Sequence, residues 1–155
     1  MATRTDDRWL AAALAATGLG SFLFHGPMPP GSQWAHDVSI AWLLVVAAAT
    51  TSRWESRVAA TSAVALGLAF ALAPSVAVPA TVAIAILAIP FIAWRDRRPR
   101  TFAALGLLIV GAAVARLSAT GGPWCHPDSS LQGHAAWHVL AATAIAWWAL
   151  TRDAG

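Results

Sequence analysis

The sequence predicts an all-α fold, a polytopic membrane bundle of six transmembrane helices, and three observations lead there. Of its 155 residues, 58% are hydrophobic and only 11% are charged, and mean hydropathy is positive, a composition outside that of soluble domains. The apolar residues gather in six runs, 9–24, 35–51, 58–73, 76–94, 101–117 and 133–150, each near the lower edge of the roughly 17 to 25 residues that cross a bilayer core. Ala and Leu fill these runs, and backbone groups in lipid must bond within their own segment, so each run is expected to be a helix. The chain, 1–155, is then a single transmembrane domain.

Each run has its own punctuation. The first follows Asp6 and Asp7, which spoil the basic leader of a secretory signal, so it is read as a retained helix. The 26–31 loop, rich in Pro and Gly, makes a stiff turn into the second. Arg53 and Arg57 lead into the third, Pro79 and Pro90 predict kinks or breaks in the fourth, and Arg95, Arg97, Arg98 and Arg100 introduce the fifth. The sixth follows the longest loop on its side, which carries Cys125 and His126.

Charge orients the bundle. If six helices alternate, one side receives Arg4, Arg8, Arg53, Arg57, Arg95, Arg97, Arg98, Arg100 and Arg152, and the other only Arg116. This asymmetry predicts that both termini are cytoplasmic. Trp9, Trp54, Trp94, Trp147 and Trp148 fall near the cytoplasmic interface and Trp34, Trp124 and Trp137 near the opposite one, as an aromatic belt does; only Trp42 lies well inside a helix. The pI of 11.1 comes from arginines at the ends of apolar runs, with no basic face to hold nucleic acid. Cys125 is the only cysteine, so no intramolecular disulfide forms.

On this topology all five histidines, His25, His36, His126, His134 and His138, fall at the non-cytoplasmic leaflet. The acids Asp6, Asp7, Glu55, Asp96 and Asp153 sort to the arginine side, leaving Asp37 and Asp128, of which only Asp37 is placed to enter the bundle. Polar side chains at membrane depth are costly and need partners. His134 and His138 are one helical turn apart, near enough to hold one ion. His25 ends the first helix at the same depth, and three neutral imidazoles leave the open position of a catalytic zinc shell. A lone buried histidine would more simply bond a carbonyl, but three at one depth favour a metal.

A general base is still needed, because Ala135 stands where the zincin motif carries Glu. Asp37 is the carboxylate in reach, as a base or as the partner that fixes a histidine tautomer or caps its helix. Ser21, one turn from His25, either donates to a developing oxyanion or bonds back to the Thr17 carbonyl. His36 is expected to point elsewhere than Asp37 and to cover the site. Cys125 and His126 are not needed as ligands.

Ser21-Phe-Leu-Phe-His25, His36-Asp37 and Gly133-His134-Ala-Ala-Trp-His138, in that order, resemble the alkaline ceramidase-like membrane hydrolases, in the superfamily that includes the progestin and adipoQ receptors. The resemblance runs over 18–148. It implies that His25, His134 and His138 bind zinc, with Ser21 and Asp37 beside the water that the metal activates, and a membrane lipid as substrate. The family usually has seven helices, with its Ser and His in the second. Here they stand in the first, so the resemblance implies a six-helix form without the first family helix, which helps to enclose the family bundle; the shape of the substrate cavity and the need for a partner subunit, and so an oligomer, stay open.

The function expected is therefore a zinc-dependent intramembrane hydrolase that cleaves the amide, or less readily an ester, of a ceramide-like lipid, with its active site toward the non-cytoplasmic leaflet. The alternative is a zinc-containing membrane receptor or lipid-binding protein without hydrolase activity. A haem carrier is disfavoured because His134 and His138 share one helix and cannot occupy both axial faces. Rhomboid-type proteolysis is disfavoured because Ser21 lacks a Gly-x-Ser-x-Gly setting.

Overall fold

The structure, a computed structural model, describes residues 8–50, 52–118, 121–125 and 133–152. Every regular element among them is helical: α1 (Arg8–His25), α2 (Ser32–Ala49), α3 (Glu55–Leu72), a 3-10 turn (Pro74–Val76), α4 (Ala77–Arg95), α5 (Pro99–Leu117) and α6 (Gly133–Arg152). Arg4, Asp6, Asp7, Thr51, His126, Asp128 and Asp153 lie outside the described residues, as do the side chains of His134 and Arg152. Among the described residues three stretches are long and apolar enough to cross a membrane: α3, the Pro74–Arg95 segment and α5. The described part of α6, Ala135–Thr151, is a shorter apolar helix, and α1 and α2 carry more polar residues, among them Arg8, His25, Gln33, His36 and Asp37.

The helix contacts fall into two compact units, one up to Trp94 and one from Arg95. In the first, α1 and α2 are joined by a tight loop. The Gly26 and Met28 amides donate to the Phe22 and Leu23 carbonyls at 2.9 Å, and the Ser32 amide to Pro29 at 3.0 Å. Gly31 stands at the head of α2 with φ of 84°, a left-handed conformation that a side chain would strain. The turn lets α2 begin at Ser32, three residues before its apolar run.

Small residues set how closely α1 and α2 pack. Ala13 and Gly20 are buried on α1, and Thr17 between them donates both to the Ala13 carbonyl at 2.8 Å and across to the Ser39 carbonyl at 3.1 Å. Small residues at such a contact let two helix backbones approach closely. The indole of Trp42, the one tryptophan placed in mid-helix, donates to the Ala59 carbonyl at 2.9 Å and so ties α2 to α3. Nearer the other end, Trp34 donates to the Gly67 carbonyl at 3.0 Å. Ala41, Phe70 and Ala77 form a buried cluster that brings in the start of α4, with Val38, Leu66, Ala80 and Ile84 around it.

The helix α4 runs unbroken through both prolines. Pro79 lies in its first turn, where an amide hydrogen has no intrahelical partner to lose, and Pro90 is accommodated in the interior. The chain breaks before α4, at Ala73, where the third apolar run also ends, with φ of −139° and ψ of 75° separating α3 from the 3-10 turn.

The first unit is polarised along its helices. At one end the Trp9 indole donates to Ser56 Oγ at 3.1 Å, and the Arg53 and Arg57 guanidiniums each lie 5.0 Å from the Trp54 ring centre. At the other end are the 26–31 loop, His25 and His36. Arginines and histidines therefore occupy opposite ends.

In the second unit α5 and α6 form a helical hairpin. Pro99 occupies the first turn of α5, and Asp96 just ahead of it accepts from Thr101 Oγ1 at 2.7 Å and from the Arg98 amide at 3.4 Å. Thr101 is almost completely buried, and Arg98 Nε lies 3.6 Å from the same carboxylate. Gly111 is opposite Trp137 and Leu140, and Gly133 is opposite Val114 and Ser118, so the start of α6 sits beside the end of α5. His134 and His138 are carried at that end of the hairpin.

Candidate functional site

In the first unit the two helices bring four of the singled-out residues to one end. His25 is the last residue of α1 and is exposed, while His36 and Asp37 are in the second turn of α2 and half-buried. The His25 and His36 ring centres are 5.3 Å apart with their planes at 89°. Phe24 lies 4.9 Å from each ring. His36 and Asp37 do not diverge as expected: His36 Nδ1 is 3.0 Å from Asp37 Oδ1, with the two side chains 14% and 18% exposed. Neighbours on a helix ordinarily point about 100° apart, and sequence spacing alone gives no sign of this contact, which depends on both side chains turning toward one another.

The same geometry decides two alternatives left open by the sequence. Asp37 is the sixth residue of α2, so it is not the helix cap. Ser21 Oγ is buried with no hydrogen-bond partner, so it makes no bond back to Thr17. Ser39 Oγ, in contrast, donates to the His36 carbonyl at 2.8 Å. A buried hydroxyl without a partner retains its full donor and acceptor capacity at a cost of about 1–3 kcal/mol, which a ligand can recover.

Below these residues lies a shallow apolar groove of about 220 Å³ between α1 and α2, bordered by Leu19, Leu23, Trp34, Val38 and Trp42. Sequence reading did not anticipate it. The signal was present in the alternation of small and large apolar residues on α1, but only the packing against α2 turns that into a groove.

In the second unit His138 is half-buried in the second turn of α6, and His134 precedes it by one turn. Cys125 is half-buried and in no disulfide. Among the described residues no group of three His, Cys, Asp or Glu side chains is set to hold a metal ion. The donor types nevertheless suit a transition ion. An imidazole held at Nδ1 by a carboxylate, with a second imidazole beside it, is the ligand and outer-sphere chemistry that zinc takes. Comparison with family models, curated proteins and solved structures finds no match to this chain.

Proposed function

We propose that the chain is a six-helix member of the alkaline ceramidase-like hydrolases, a zinc-dependent intramembrane amidase that cleaves a ceramide-like lipid. The observation that carries this reading is the group of Ser21, His25, His36 and Asp37 at one end of a helix pair that is otherwise largely apolar. Such polar groups are costly in a membrane and mark function more often than support. All six helices cross the bilayer in this reading, and the termini lie on the cytoplasmic side. The separation of arginines from histidines in the first unit supports that orientation.

His25, His134 and His138 would hold the zinc. When bound, it supplies Lewis acidity toward the amide carbonyl and lowers the pKa of water to about 7. Asp37 accepts the proton of the attacking water. Its Oδ1 already faces His36, and an ionised carboxylate has further lone pairs to offer. Ser21 donates to the oxyanion, a role open to it because its Oγ has no other partner. The lipid enters laterally, its chains against apolar helix faces such as Leu68, Leu72, Val82 and Ile86, all more than half exposed.

Lipid extracts from cells expressing wild type and Asp37→Ala test the reading. A free fatty acid and an amino-alcohol lipid should accumulate only with wild type, and loss of a general base should slow hydrolysis by about 10² to 10⁴-fold. Identical extracts, with Asp37→Ala keeping full biological activity while His134→Ala fails to fold, would point to a receptor that uses zinc for structure.

A further inference from the structure

We infer that His36 is a metal ligand alongside His25, and that Asp37 is the residue that positions it. The inference rests on the proposed function only for His25 as a ligand. It adds a fourth imidazole, from α2, to the three that the motif resemblance supplies, and the attacking water would then take a fifth position.

Three features of the first unit carry it. The 3.0 Å approach of His36 Nδ1 to Asp37 Oδ1 needs a hydrogen between them. With the carboxylate ionised, that hydrogen belongs to Nδ1, leaving the lone pair of His36 on Nε2. A carboxylate behind a histidine in this way fixes both the tautomer and the ring orientation of a metal ligand. The second feature is the spacing of the rings. Two imidazoles bound to one tetrahedral ion through nitrogens at about 2.0–2.1 Å have their ring centres about 5 Å apart. The observed separation is 5.3 Å, so with His36 held by Asp37 it is the exposed His25 ring that turns to bring the two nitrogens to one ion.

The third feature is the surroundings. Phe24 lies 4.9 Å from both rings and forms an apolar wall, while His25 is exposed and gives access for an ion and its remaining ligands. A neutral pair of imidazoles suits zinc, copper or nickel over magnesium or calcium, which take oxygen. The competing explanation is plain ring packing among Phe24, His25 and His36, which would need neither the carboxylate nor a particular tautomer.

The test is zinc affinity of the full chain in mild detergent, measured by competition with a chromophoric chelator, together with the visible spectrum of the cobalt-substituted protein. His36→Ala should weaken zinc binding by more than about 100-fold, and Asp37→Asn, nearly the same shape, by about 10- to 100-fold. Both should alter the cobalt spectrum. If His36→Ala fails to fold, Asp37→Asn decides. Wild-type affinity and spectrum in folded variants would overturn the inference and leave the proposed function standing. Absence of zinc binding by folded wild type would overturn both.

Discussion

His138→Ala should abolish both zinc retention and lipid hydrolysis while leaving the helices intact. His138 lies one turn along α6 from His134, in the second turn of the helix and half-buried. At 1.5 Å of rise per residue the two Cα positions differ by about 6 Å along the axis, on one face. Loss of one imidazole from a three-histidine shell should weaken the metal by more than the roughly 10- to 100-fold that outer-sphere changes cause, and catalysis falls with it. The fold should survive because α6 is held by other residues. Ala144 is fully buried and Trp148 nearly so, and Gly111 on α5 is opposite Trp137 and Leu140. Removing a polar group from an apolar helix does not itself weaken the helix. Circular dichroism and elution in detergent should match wild type, with zinc and hydrolysis both lost. A variant that keeps its zinc would remove His138 from the ligand set.

Gly20→Ala should destabilise the protein by about 1–3 kcal/mol, the usual range for an added methyl in a packed contact. A Cβ at Gly20 would lie 2.9 Å from Ser39 Oγ, 3.0 Å from His36 Cα and 3.1 Å from the Ala35 carbonyl oxygen. Two of those atoms are backbone, so relief requires α1 and α2 to separate. Separation would lengthen the 3.1 Å bond from Thr17 to the Ser39 carbonyl and draw His25 from His36. Activity should therefore fall along with the thermal midpoint in detergent. Gly18→Ala is the control: nothing lies within 4 Å of the added methyl, and in a helix Ala is favoured over Gly by roughly 0.5–1 kcal/mol. Equal stability of the two variants would show that α1 and α2 are not held this closely.

How much could be read from the chain differs from element to element. The helices follow from runs of Ala, Leu and Val, since an apolar backbone in lipid has few other ways to satisfy its hydrogen bonds. Their ends were harder to place. α2 begins at Ser32 because Pro29 and left-handed Gly31 turn the chain there, and α3 begins at Glu55, ahead of its apolar run. Hydropathy does not register either effect. Pro90 does not break α4, because its local cost is outweighed by the helix on both sides.

The candidate site shows the same division. Spacing was enough to single out Ser21 with His25 and His134 with His138, because it depends only on helical geometry. Side-chain rotamers were beyond it. The bond between adjacent His36 and Asp37, the unpartnered hydroxyl of Ser21 and the ring contact of His25 with His36 arise from how α1 and α2 pack. That packing in turn depends on Gly20, whose significance a sequence rich in small residues conceals.

Elemental analysis of the folded protein, purified in mild detergent without chelators, tests the central claim most directly. About one zinc per chain is the result predicted, lost from His138→Ala under the same purification. Folded wild-type protein that carries no zinc, and takes up none when it is supplied, would contradict it.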